Sequence, residues 1–156
     1  MSKMFTYQGK RLKTWNPFTG CNFSCFYCWA RKLAEGKLKN SYPNGFIPIT
    51  HPDRFNKRFK SDDFVFICSM GDISFAPPVV WNQVYIIAQK YPETKFLLCT
   101  KNPAIYLKLE WRLDNVYYGT TIETNKHYRV SKAMRTYDRY LAFKEVVHPY
   151  KFLSIE

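Results

Sequence analysis

The chain lacks any apolar run approaching the ~20 residues that a bilayer-spanning helix needs, so a membrane-embedded helical protein is not expected. Its opening residues, MSKMFTYQGKRLK, hold no apolar signal region, and its five cysteines are an odd number. A disulfide framework is therefore not expected, and the reading is a cytoplasmic protein with reduced thiols. Internal repeats, low-complexity tracts and Gly/Ser linkers are missing too, which makes one continuous domain over residues 1–156 the simplest organisation. Acidic residues are scarce, 12 Asp and Glu against 24 Lys and Arg. The deficit is concentrated: residues 1–60 carry 12 Lys and Arg against only Glu35 and Asp53, a balance of +10, while the rest carries +2. Interleaved aromatics (Phe5, Tyr7, Trp15, Phe18, Phe23, Phe26, Tyr27, Trp29) give that portion the composition of a polyanion-binding surface, with DNA or RNA as partner. A solvated basic face has the same composition. At 46% apolar and 19% aromatic, the chain can fill one core and is not disordered.

Against these absences stands one dense cluster. Cys21-Asn-Phe-Ser-Cys25-Phe-Tyr-Cys28 has the spacing C-x-x-x-C-x-x-C. Three thiolates on one short loop can hold three corners of a cubane iron–sulfur cluster, which ordinarily takes four cysteines. With no fourth cysteine nearby, one iron stays open to a non-protein ligand, as in catalytic rather than structural metal sites. Zinc is the rival, because Cys25 and Cys28 form a C-x-x-C pair. It would want a second pair or a histidine at knuckle spacing, and His51 lies 23 residues past Cys28. His51, His127 and His148 share no ligand spacing and read as surface or capping residues.

Short apolar runs alternate with helical patterns. Strands are expected around Leu12 to Phe18, Phe64 to Cys68, Lys95 to Cys99, Asn115 to Gly119 and Lys151 to Ile155. Helices are expected from Trp29 to Lys39, over the stripe Val80, Val84, Ile87, Ala88 and Tyr91, and after Asn102 as N-cap with Pro103 at the first position. A last one is expected over the stripe Val130, Ala133, Met134, Tyr137 and Leu141. Strand–helix alternation implies an α/β fold with parallel strands, either a doubly wound sheet or a barrel-type arrangement of about five βα units. The chain stops after the fifth strand and is expected to be truncated at its C-terminus, or else a minimal version whose open edge needs covering.

Ligands of parallel α/β folds sit at the carboxyl ends of the strands. Here those ends carry the cysteine loop, Ser69-Met-Gly-Asp72, Thr100-Lys-Asn102, Thr120-Thr-Ile-Glu-Thr-Asn125, and Ser154 with Glu156. Ordinary structural roles are also open to these residues: a turn with a capping Asp72, an N-cap at Asn125, solvated Glu123 and Lys101, and core packing for Cys68 and Cys99. A thiol at the rim, Cys68 or Cys99, could instead donate a hydrogen atom to a substrate radical.

The cysteine spacing, with aromatic Tyr27 before its last cysteine, resembles the signature of the radical S-adenosylmethionine (SAM) superfamily. Trp15-Asn-Pro-Phe-Thr-Gly20, Ser-Met-Gly-Asp72, Thr100-Lys-Asn-Pro103 and Phe152-Leu-Ser-Ile-Glu156 extend the likeness to a phage and prophage branch, itself loosely similar to the DNA-repair enzyme spore photoproduct lyase. The resemblance implies a partial (β/α) barrel and a [4Fe–4S] cluster on Cys21, Cys25 and Cys28. It implies SAM bound at the open iron and cleaved to a 5′-deoxyadenosyl radical, with a flavodoxin or ferredoxin as one-electron donor. Tyr27 would then lie near the adenine, and Ser69, Gly71 and Asp72 near the methionyl ammonium. Glu123 and Asn125 would meet the ribose hydroxyls or the carboxylate region. Trp15 and Trp29 could stack a nucleic-acid base.

Overall fold

The computed structural model describes residues 6–7, 9–111, 113–126 and 128–155. Two short strands, β1 (Thr6–Tyr7) and β2 (Lys10–Arg11), pair antiparallel and precede β3 (Lys13–Trp15). Pro17, which has no N–H to give a ladder, interrupts the run that follows. The expected first strand is thus split: β4 (Phe18–Thr19) leaves the main sheet and pairs antiparallel with β5 (Ile49–Thr50). Helix α1 (Trp29–Glu35) lies between them and stops short of Lys39.

The main sheet continues with β6 (Phe64–Ile67), β7 (Lys95–Thr100), β8 (Val116–Ile122) and β9 (Lys151–Ile155). Its order is β3-β6-β7-β8-β9, and every pairing is parallel. A doubly wound sheet reverses its strand order at a switch point. This one runs without reversal, so that alternative falls. Among the described residues β3 and β9 form the two edges, and no closed barrel is made.

Crossovers in a sheet of this order pack on one face. Helix α2 (Pro78–Lys90) follows β6, a 3₁₀ helix (Pro103–Lys108) follows β7, and α3 (Thr136–Glu145) follows β8. Asn102 precedes the 3₁₀ helix as expected, but its side chain makes no capping bond; its backbone N–H donates instead to Thr100 Oγ1 at 3.0 Å. The stripe starting at Val130 is corrected: α3 begins only at Thr136, and Val130, Ala133 and Met134 lie in the preceding loop.

Period-two alternation divides the strands between two environments. Val65, Ile67, Phe96, Leu98, Val116 and Tyr118 meet Val80, Val84, Ile87 and Ala88 of α2, Tyr106, and Phe143 of α3 in the principal core. Fully burying one such aliphatic side chain contributes about 1.5–3 kcal/mol. Trp15 belongs here too, 1% exposed and edge-on to Phe59 and Phe96, so it is not available to stack a base. On the opposite face Leu12, Phe64 and Leu97 pack with Tyr7, Phe66, Tyr117 and Phe152. Tyr7 meets Phe64 and Phe152 edge-on, closing the lower part of that face. Its upper part stays concave.

Candidate functional site

The concave face ends in a cavity of about 490 Å³ at the carboxyl ends of the strands. Its walls take in all three loop cysteines, Ser69, Gly71, Asp72, Cys99, Lys101 and Ser154, with Leu97 and Phe152 beneath them. Residues from four separate strand ends therefore converge with the cysteine loop, as the rim argument requires.

The loop is anchored at its root by two glycines. Gly20 and Gly71 form a parallel bridge; Gly20 N–H donates to the Met70 carbonyl at 2.9 Å, and Asp72 N–H to the Gly20 carbonyl at 3.2 Å. Gly20 has φ +87°, and a Cβ there would sit 2.2 Å from the Ile47 carbonyl oxygen. A Cβ on Gly71 would approach the Gly20 oxygen to 2.7 Å. The close approach at Gly71 is thus to the loop's own backbone.

Farther along, the loop is held by a segment more than a hundred residues away. Phe26 N–H donates to the Val130 carbonyl at 2.9 Å and Lys132 N–H to the Phe23 carbonyl at 2.6 Å. Ser131 Oγ lies 3.1 Å from Cys25 Sγ. Two backbone amides point at the other thiols: Phe23 N–H at Cys21 Sγ (3.4 Å) and Arg31 N–H at Cys28 Sγ (3.3 Å), the second making Cys28 the N-cap of α1. Burial, reinforced by the charge of Asp72 and opposed by the Phe23 amide, pushes the Cys21 thiol up to about 12. Such a thiol is protonated at neutral pH.

The rim residues are tied to one another. Asp72 Oδ1 accepts from Ser74 N–H (3.0 Å), Ser74 Oγ (2.8 Å) and Thr100 Oγ1 (2.5 Å), and Oδ2 from Lys101 N–H (2.8 Å). Asp72 therefore caps a 3₁₀ turn (Ile73–Phe75) and joins the ends of β6 and β7. Asn16 fixes the same loop, its Oδ1 accepting from Ser69 Oγ and Met70 N–H. Glu123 accepts from Thr121, from Lys101 and from both terminal nitrogens of Arg139. Lys101 also meets Tyr27, 3.1 Å from its hydroxyl and 5.0 Å from its ring centre.

Of the sequence candidates, the structure brings together Cys21, Cys25, Cys28, Tyr27, Ser69, Gly71 and Asp72 at the cavity, with Glu123 reached through Lys101. Asn125 is exposed, lines neither this cavity nor its neighbour, and caps no helix. Cys68 is buried in the principal core, whereas Cys99 faces the cavity. Trp29 lines the cavity. His51 holds Thr19 at 2.8 Å, and His148 packs against Tyr118. His127 and Glu156 lie outside the described residues. Asn16, Ser131 and Arg139 escaped the sequence reading, because each acts through a partner at least 16 residues away. Among the described residues no three His, Cys, Asp or Glu side chains converge as a single-ion metal site would.

No curated protein and no solved structure matches the chain. Residues 10–156 match a family described only as a protein of unknown function, DUF5131. That match covers nearly the whole sequence, and the chain belongs to the DUF5131 family.

Proposed function

We propose that this protein is a radical SAM enzyme of partial (β/α) barrel type, with Cys21, Cys25 and Cys28 as ligands of a [4Fe–4S] cluster. The observation that carries the reading is the single cavity shared by all three thiols and the rim of a parallel sheet. At about 490 Å³ it falls within the range of small-molecule and cofactor sites. Two features of the chain fit a cluster. Backbone N–H groups already point at two of the thiols. Arg31, whose Nη2 donates to the Cys21 carbonyl, keeps its Nε buried with no hydrogen-bond partner among the described residues. Inorganic sulfide accepts from donors of this kind, which tune the cluster's potential.

A cluster held by Cys21, Cys25 and Cys28 would supply one-electron reduction of SAM, and with it the radical chemistry for hydrogen abstraction from a substrate. The chain's own residues hold and shield that chemistry. Leu97, Phe66 and Phe152 give the cavity an apolar floor that limits water. Ser69 and Tyr27 line the space the cofactor would fill, Asp72 braces its rim, and Glu123 acts mainly by setting Lys101. An external one-electron donor, a flavodoxin or ferredoxin, would complete the cycle.

Anaerobically purified protein should contain about four irons and four sulfides per chain. With SAM and dithionite it should release 5′-deoxyadenosine. One zinc per chain, with no iron and no SAM cleavage, would replace the enzyme by a non-catalytic nucleic-acid-binding module.

A further inference from the structure

A second cavity, of about 270 Å³, adjoins the cysteine loop at Tyr27. Tyr27 lines both cavities, and the Glu123–Arg139 pair lines the second. The segment that straps the cysteine loop, around Val130 and Ser131, is part of its lining. Three cations line it from exposed positions: Lys126, Arg129 and Arg135. Glu123 is the acid in its lining, and Arg139 and Lys101 already neutralise it. Among the described residues neither Lys126, Arg129 nor Arg135 forms an ion pair. Beside them Tyr128 is 61% exposed, an aromatic ring with a free face.

The basic N-terminal portion does not furnish this surface. Lys13 is paired with Asp63, Lys57 donates to the Thr14 carbonyl, Arg54 to the Asn16 carbonyl and Arg31 to the Cys21 carbonyl. Four of its cations are thus engaged in holding the fold. The cations that line the second cavity without an ion pair among the described residues come from residues 126–135.

We propose that this second cavity is the substrate subsite, and that it takes a nucleotide unit: phosphate against Lys126, Arg129 and Arg135, base against Tyr128. Converging cations suit a phosphate, and an exposed ring beside them suits an unstacked base. The inference names the substrate class of the enzyme proposed above and rests on that reading for its chemistry, though not for its binding. A free nucleotide and a single strand share this recognition.

The test is fluorescence anisotropy with a labelled single-stranded DNA and a matching RNA, using the full chain purified anaerobically, at low and moderate salt. Arg129 has φ 53°, which Asn adopts more readily than most residues, so Arg129→Asn removes the charge without added strain. Arg129→Asn and Arg135→Gln should each lower the log–log salt slope by about 0.7. Tyr128→Leu should weaken binding about fivefold or more. Lys95→Gln, at the opposite end of β7, should change nothing. Competition by a mononucleotide as strong as by the oligonucleotide assigns the site to a free nucleotide; weaker competition assigns it to a strand. Absence of binding at low salt, or equal losses from Lys95→Gln, overturns the proposal. Because 5′-deoxyadenosine release is assayed without this ligand, its persistence would show that only the subsite had failed.

Discussion

Arg139 holds Glu123 with both ends of its guanidinium, Nη1 to Oε1 at 3.1 Å and Nη2 to Oε2 at 2.7 Å. The arginine side chain is 4% exposed and that of the acid 14%, so water screens the pair little. Removing one partner of a buried pair typically costs 3–5 kcal/mol. Lys101 remains to balance Glu123, so Arg139→Met should destabilise by about 3 kcal/mol in urea unfolding. A loss under about 1 kcal/mol would mean that the pair is far better solvated than its burial indicates.

The three loop cysteines should separate cleanly from the other two. Replacing Cys21, Cys25 or Cys28 with Ala should remove most bound iron. Cys68→Ala and Cys99→Ala should retain it, because Cys68 is sealed in the core and Cys99 lies on a different strand. Iron analysis decides. Dependence on Cys99, which faces the same cavity, would supply a fourth protein ligand and defeat the open-iron model.

Gly20→Ala should be more damaging than its size suggests. The new methyl group would meet the Ile47 and Pro48 backbone at 2.2–2.5 Å, in a conformation that L-residues avoid. A loss of at least about 2 kcal/mol is expected, with poor iron loading in whatever protein folds. Normal stability in thermal denaturation would show that the root of the loop can shift freely.

Asp72→Ala strips four hydrogen bonds from the rim. Buried donors left unpaired cost about 1–3 kcal/mol each, so the variant should lose both stability and SAM affinity. Asp72→Asn keeps an acceptor and should lose less of each. Calorimetric SAM titration beside unfolding curves separates the two effects. Lost affinity with unchanged stability would make Asp72 a direct cofactor contact rather than a brace.

Asp63 should contribute to the acid limb of stability. Burial raises its pKa, but hydrogen bonds from Lys13 and the Lys60 amide, together with both charges, outweigh that and hold it below the ordinary carboxylate range. A carboxylate depressed in the folded state contributes stability above its unfolded pKa of about 3.9, and that contribution fades as pH falls through the lower folded value. Asp63→Asn should therefore narrow the gap in stability between pH 5 and pH 2.5. An unchanged gap in denaturant titrations at the two pH values would assign the acid limb to other groups.

The strands were legible because buried parallel strands read as continuous apolar runs, and Phe64 to Ile67 and Phe96 to Cys99 do so without interruption. The cysteine loop was legible from spacing alone. Two kinds of feature were not. Pro17 divides a run that hydropathy treats as one strand, and β4 pairs with β5 across some thirty residues of intervening chain. The stripe from Val130 has helical spacing, but the backbone of Val130 and Lys132 is already bonded to Phe26 and Phe23, which a helix would forbid. Long-range backbone partners leave no trace in local periodicity. The same blindness hid the second cavity, whose cations looked unremarkable beside the denser charge of residues 1–60.

The unbroken order of the sheet bears on how the molecule is assembled. Each strand of the main sheet is laid beside that sheet's previous strand, so a growing chain can extend it as it emerges, without reopening earlier contacts. The cysteines are synthesised early, but the segments that seat them come late: Phe46 first, then Met70 with Gly71, and finally Val130 to Lys132. Until that last segment is made, the loop is fastened at its root but not along its length. The loop thus gains its full seating only once Lys132 has been made.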